Sequence, residues 1–240
     1  MRYHQRLAQG SQIKNPSDHM SYQENFYYPI FADLRGKRTV VVGGGMVALR
    51  KIESLLACGA EVNVIAPDIL DDVLAMDKVN LCKRDYKSGD LEGAVLVIAA
   101  TDNMKINAVV SSDALSMGIF CNVVDIPGMC SFIVPSVVEK GPVKIAISTG
   151  GISPALSRKL RMQIGNLIGD EYGTLALIMG KIRPLVLSKE GGHEYHKRVF
   201  DVLVNSELFD AIRSHDRELA EKILLEALGE DIDLEEFFPC

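Results

Sequence analysis

No stretch of this 240-residue chain approaches the ~20 consecutive apolar residues needed to span a bilayer, although 48% of it is hydrophobic. The first twenty residues are polar and lack an apolar run, so no signal peptide is expected. Paired cysteines are also missing. The five present, Cys58, Cys82, Cys121, Cys130 and Cys240, are scattered, odd in number and without a C-x-x-C. That excludes a disulfide framework and a closed zinc site, and fits reduced thiols in a cytosolic protein. Positive charge is in short supply, with 26 Lys and Arg against 32 Asp and Glu and a net charge of −6. With no basic stripe to offset this balance, nucleic acid is not the expected partner. There is no internal repeat and no low-complexity tract beyond the first 25 residues.

What is present begins after a polar extension. Residues 1–25 carry no hydrophobic period and are expected to be disordered or loosely attached, with Ser17-Asp18-His19-Met20 resembling a vector-derived junction. From Tyr27 to Val134 strand-like and helix-like segments alternate. Strands are expected at 39–42, 61–65, 81–84, 94–99, 119–123 and 132–134, and helices at 47–58, 69–76 and 105–117. Gly59 is placed to close the first helix, and Asp102 or Asn103 to cap the third. Such alternation specifies an α/β, Rossmann-like, mostly parallel sheet, its apolar strands buried on both faces. After Pro135 the texture changes. One more strand is expected at 143–148, then the turn Thr149-Gly150-Gly151 and a helix capped by Ser153 with Pro154 in its first position. Beyond Gly165 the chain reads as helical, with breaks at Pro184 and at Gly191-Gly192.

The run Thr39-Val40-Val41-Val42 leads straight into Gly43-x-Gly45-x-x-Ala48, the dinucleotide-binding fingerprint in its Ala-ended form. Gly43 permits the tight turn, Gly45 has no Cβ to hold a pyrophosphate away, and Ala48 lets the helix pack closely. The helix's free N–H groups and dipole then meet a phosphate. About twenty residues on, the chain reaches Pro67 and Asp68, where an acidic side chain contacts the adenosine ribose in such folds. Asp68 reads equally well as an N-cap before Ile69. The absence of an Arg just after this point favours NAD over NADP. Two further segments end at the carboxyl edge of the sheet, Ala99-Ala100-Thr101-Asp102 and Cys121-Asn122-Val123-Val124-Asp125. Ligands of open α/β sheets bind outside that edge, so both face cofactor or substrate. Asp125 is a candidate general base or acid beside a nicotinamide; a solvated turn Asp is the alternative.

Taken with Tyr28-Pro29-Ile30-Phe31, Ser131-Phe132-Ile133-Val134-Pro135-Ser136 and Ser148-Thr149-Gly150-Gly151-Ile152-Ser153-Pro154, these motifs resemble the precorrin-2 dehydrogenase family of sirohaem synthesis. That family includes the amino-terminal half of bifunctional sirohaem synthases and the yeast-type dehydrogenase/ferrochelatase. The match runs in order from about Tyr28 to Arg161. The resemblance implies NAD-dependent oxidation of precorrin-2 to sirohydrochlorin, with Asp125 important for catalysis. It places NAD against Gly43, Gly45, Met46, Val47, Pro67 and Asp68. The hydroxyl residue before Gly150-Gly151, a phosphorylatable Ser in some relatives, is Thr149 here. Some relatives also insert Fe²⁺ into sirohydrochlorin and others only dehydrogenate; both remain open. The longer synthases carry a methyltransferase domain that this sequence lacks, which assigns uroporphyrinogen methylation elsewhere.

The substrate is a polyanion with acetate and propionate arms. The helix from Ser153 offers N–H groups and Arg158, Lys159 and Arg161, with a solvated basic face as the alternative. Asn122, Ser148, Thr149 and Ser153 complete the expected substrate contacts. Arg50 and Lys51 add charge, but on an exposed helix face such residues usually only solubilise. His193 and His196 share a helix face, yet a solvated pair is the better reading than a metal site. The expected organisation is a nucleotide domain at 26–135, a dimerisation and active-site segment at 136–166, and a helical domain at 167–240. The dimer comes from the resemblance. Leu175, Ala176, Ile178, Met179 and Ile182 add an apolar stripe that a partner, or the nucleotide domain, would cover. Readings from other classes are a non-catalytic NAD sensor and a channel-type nucleotide-gating domain. Asp125 and the basic helix argue against the first, and the pattern after Pro135 against the second.

Overall fold

A computed structural model describes residues 27–238, so the expectations for residues 1–25 lie outside the described residues. The chain divides into two units, Met1–Asp33 and Leu34–Cys240, and the fold that follows belongs to the second. It opens as β1 (Arg38–Val42), α1 (Met46–Ala57), β2 (Glu61–Ala66), α2 (Asp71–Leu74), β3 (Val79–Lys83), β4 (Leu96–Ala99), α3 (Met104–Met117) and β5 (Phe120–Val123). All five strands are parallel in the order β3-β2-β1-β4-β5. The order reverses at β1, which makes the space outside the carboxyl ends of β1 and β4 the natural crevice. Register brings those ends level, Val42 lying opposite both Ile65 and Ala99.

Alternate strand residues point to opposite faces, so one sequence builds two cores. Val41, Val62, Val64 and Ile98 pack under Ala48, Leu49, Ile52 and Leu55 of α1. Val40, Val42, Val97, Ala99 and Val123 pack under Val110 and Ala114 of α3. Asn103 caps α3, its side-chain oxygen accepting from Lys105 N at 3.0 Å. Gly59, at φ +72°, follows the end of α1.

Four expectations about this half are corrected. The 69–76 helix shrinks to α2, because Leu70, at ψ 146°, is extended, with its N–H bonded to Gly44 O at 3.0 Å. No side chain caps α2, which removes the capping role for Asp68. The third strand starts earlier than expected, at Val79. Residues 132–134 form no strand. Ser131 N bonds Cys121 O, but the return bonds come from side chains: Cys121 N donates to Ser131 Oγ at 2.8 Å and Asn122 Nδ2 donates to Phe132 O at 3.1 Å.

The strand expected at 143–148 does not join the parallel sheet. It is β7 (Val143–Ile147), paired antiparallel with β6 (Ser136–Lys140), which the sequence reading missed. The two-residue turn Gly141-Pro142 joins them, with Gly141 at φ +54°. Gly141 lies against α5 (Asp170–Ser188), where a Cβ on Gly173 would fall 2.6 Å from Lys140 O. Between the hairpin and α5 runs α4 (Pro154–Leu167), capped by Ser153 Oγ accepting from Leu156 N at 3.3 Å.

Pro184 does not break α5 as expected. Ile182 and Val186, on either side of it, are both buried in the same core, and that burial outweighs the proline penalty. The core is closed by α6 (Gly192–Val204), α7 (Leu208–Arg213) and α8 (Arg217–Leu228), with Leu203, Leu208, Leu224 and Leu234 fully buried. The stripe of Leu175, Ile178, Met179 and Ile182 is therefore covered by later helices of the same chain. Neither the nucleotide domain nor a partner is needed for that face.

Candidate nucleotide and substrate site

At the carboxyl ends of β1, β2, β4 and β5 lies a cleft of about 750 Å³. Its floor is the glycine turn. Gly43 has φ +126°, and a Cβ there would sit 2.4 Å from Ala100 O. A Cβ on Gly44 would sit 2.2 Å from Asp68 O, a packing role that the sequence reading did not give it. Gly45 differs: a Cβ there meets nothing within 4 Å, so its missing side chain leaves open a cradle rather than relieving a clash.

Gly45 is also the N-cap of α1, with no side-chain cap and no acidic residue in the first turn. The first bond of α1 is Leu49 N to Gly45 O at 3.0 Å, which leaves the Met46, Val47 and Ala48 N–H groups without helical partners. An exposed helix end with free N–H groups, a favourable dipole and an open approach suits a pyrophosphate. The residues present fit a dinucleotide.

Gly43, Gly45, Met46, Val47, Pro67, Asp68, Thr101, Asp102 and Asp125 all line this one cleft. Asp68 is exposed at the end of β2. Thr101 is fixed by a residue not singled out from sequence, Asn107, only 3% exposed. Thr101 Oγ1 donates to Asn107 Oδ1 at 2.7 Å, and Asn107 Nδ2 donates to Thr101 O at 2.9 Å. The available signal was an amide one turn into a helix that Asn103 already caps. Tyr86, also on the cleft wall, donates its hydroxyl to Asp113 Oδ2 at 2.8 Å. Burial first, then that hydrogen bond, push its phenol well above the ordinary tyrosine range.

Asp125 has φ +61°, a left-handed backbone unusual for a non-glycine residue and found often at functional sites. The turn that holds it is pinned at both ends. Val124 N bonds Ala99 O at 3.0 Å and Ile126 N bonds Val123 O at 3.2 Å. Beneath it, Cys130 Sγ accepts from Val123 N at 3.2 Å and lies 3.3 Å from both Val123 O and Ile126 O. Burial pushes the Cys130 thiol up, which favours the protonated donor. Lys51 is half-buried rather than on an exposed face. Burial lowers its pKa from the ordinary lysine value, and the Asp125 carboxylate partly opposes that shift.

The remaining expected residues do not line the cleft. Asn122 is engaged with Phe132 O, as above. Ser148 Oγ accepts from Gly150 N at 2.9 Å. Thr149 Oγ1 accepts from Ser153 N at 3.1 Å and lies 3.1 Å from Ser157 Oγ. These hydroxyls build the turn into α4, on which Arg158 and Arg161 are exposed. His196 Nε2 lies 3.0 Å from Lys189 O, so the ring is tied to the end of α5. Among the described residues no three His, Cys, Asp or Glu side chains converge on a metal position. None of the described helices is long and apolar enough to cross a membrane.

A glycine turn at the switch point of a parallel sheet, opening onto a free helix end, defines the class of NAD(P)-binding α/β proteins. Residues 30–136 match the family described as putative NAD(P)-binding, and residues 140–167 that described as sirohaem biosynthesis protein central. The siroheme synthase of Ectopseudomonas mendocina is 36% identical over 204 residues, covering 85% of this chain and 44% of that protein. That of Pseudomonas aeruginosa strain LESB58 is 37% identical over 206 residues, with the same coverage. Among solved structures, SirC, precorrin-2 dehydrogenase, superposes with a TM-score of 0.70 at 20% identity, covering 85% of this chain and 99% of that one. The chain spans less than half the length of the curated siroheme synthases it matches.

Proposed function

We propose that this chain oxidises precorrin-2 to sirohydrochlorin with NAD as acceptor. The observation that carries the reading is the meeting of the free α1 N-terminus and Asp125 in one cleft. Bound there, the nicotinamide supplies the hydride acceptor. The chain's own residues do the rest. The Met46 and Val47 N–H groups bind the pyrophosphate, and the Asn107–Thr101 bonds hold the wall opposite. Asp125, in its pinned turn, accepts the proton that leaves the macrocycle as the hydride departs. Arg158 and Arg161 on α4 meet the substrate's carboxylate arms.

The lining favours NAD over NADP. Among the described residues Asp68, Asp85, Asp102 and Asp125 face the cleft and no Lys or Arg does, so a 2′-phosphate near Asp68 meets like charge. We also place the chain in a homodimer, supported by exposed apolar side chains on and before α4, with Ile152 67% and Leu167 76% exposed. The test is anaerobic precorrin-2 with NAD, following sirohydrochlorin absorbance, then addition of Fe²⁺ or Co²⁺ to detect insertion. Absence of oxidation by the wild-type chain refutes the reading. Asp125→Ala should oxidise at least about a hundredfold more slowly, the range for a lost general base, with NAD affinity unchanged. Normal oxidation by that variant makes Asp125 structural.

A further inference from the structure

Among the described residues, the cleft wall carries four aspartates and no cation. One positive charge stands a helical turn behind the lining on α1. Val47 of α1 faces the cleft, and Lys51 follows it by four residues on the same helix face. Ala48, Ile52 and Leu55, which flank that face, are buried, and Val124 packs into the same layer from the end of β5. Lys51 is half-buried on this helix, whose layer includes the residue preceding Asp125. Among the described residues no side chain forms an ion pair or hydrogen bond with Lys51, and none does with Asp125. Other charges on elements around α1 point elsewhere. Arg50 and Glu53 are exposed on α1, Asp71 and Asp72 are exposed in α2, and Arg35 sits against Gly59 at the far end of the helix. Of all these groups, Asp125 is the one whose charge acts on Lys51.

We propose that Lys51 is a positioning residue for Asp125, its half-buried ammonium supplying the counter-charge that orients this carboxylate in a wall otherwise lined by acids. The inference deepens the dehydrogenase reading and rests on it for its kinetic consequence. A half-buried ammonium is costly to keep charged, and a facing carboxylate offsets part of that cost. The ammonium's contribution is present while it is protonated and disappears as pH rises through its lowered pKa.

Two measurements decide the matter. In reductively ¹³C-methylated protein, the Lys51 signal is the one absent from Lys51→Arg. It should titrate below the exposed lysines, and Asp125→Asn should lower it further, by about one pH unit. A Lys51 signal that titrates with the exposed lysines, or that ignores Asp125→Asn, overturns the proposal. In precorrin-2 oxidation, wild type should lose kcat on the alkaline side. Lys51→Arg should move that limb to higher pH, because a guanidinium keeps its proton. Lys51→Met should be about tenfold slower below that limb and converge on wild type above it, with NAD affinity and melting temperature held. Wild-type kcat in Lys51→Met below the limb overturns the proposal. A wild-type chain without oxidase activity refutes the dehydrogenase reading instead, and the titration still decides Lys51.

Discussion

Adjacent glycines in the nucleotide turn should fail in opposite ways when replaced by alanine. In Gly44→Ala the new Cβ is built 2.2 Å from Asp68 O and 2.8 Å from Ile69 Cα, both backbone atoms. That is more than about 1 Å inside ordinary contact. The bond from Leu70 N to Gly44 O ties the two segments, so neither can simply withdraw. The expected cost is that of overpacking, about 1–3 kcal/mol. For a domain of this size it lowers the melting temperature by roughly 2–4 °C per kcal/mol. In Gly45→Ala the Cβ meets nothing within 4 Å and φ is −89°, so neither clash nor strain arises. An N-cap change of this kind costs under about 1 kcal/mol. The methyl group, however, stands where a pyrophosphate would approach, so NAD affinity should fall at least about tenfold, or about 1.4 kcal/mol. Thermal melts with and without NAD, and calorimetric titration of each variant, separate the two effects. Gly45→Ala binding NAD like wild type would refute the cradle. Gly44→Ala melting like wild type would refute the packing argument.

Three further outcomes follow from the same geometry. Cys130→Ala removes the thiol beneath the Asp125 turn and should lower kcat while leaving the KM for NAD in place. Cys130→Ser should restore part of it, and equal kcat in both variants would exclude the pinning role. Burial pushes the Cys121 thiol up to about 11, so at pH 8 it is almost wholly protonated. Mass spectrometry after brief iodoacetamide treatment should find Cys58 and Cys82, both exposed, modified well before Cys121. Asn107→Leu removes both bonds to Thr101, leaving its hydroxyl to Asn103 and its carbonyl unpaired; it should lower stability by about 1–3 kcal/mol and weaken NAD binding, as melting and titration would read.

The glycine fingerprint was legible because its requirements are local: a β-branched run, a turn and an amphipathic helix lie within twenty residues. Gly44 was not, since what demands it is the backbone of Asp68 and Ile69, brought there only by folding. The Asp125 turn was placed at the sheet's carboxyl edge from sequence, but its left-handed backbone and the Cys130 contacts beneath it leave no periodic trace. Strand β6 escaped because Val137-Val138 is a short run whose partner is defined only by the Gly141-Pro142 turn. Pro184 misled because propensity speaks for one residue, whereas Ile182 and Val186 are held by a core built from four helices. Lys51 read as a surface charge because the half-turn that buries it depends on where β5 ends.

The backbone contact between Gly141 and Gly173 bears on how the chain can be divided. A Cβ on Gly173 would collide with Lys140 O, so hairpin and α5 touch without side chains between them. Hairpin, α4 and the four-helix bundle are thus fastened into one mechanical piece. A truncation made after residue 166 would unfasten it, whereas one near Pro135 would pass between pieces. The basic side chains of α4 ride on a helix packed against that hairpin, which the bundle in turn holds. Substitutions far out on α8 can therefore be inherited as altered placement of the α4 surface.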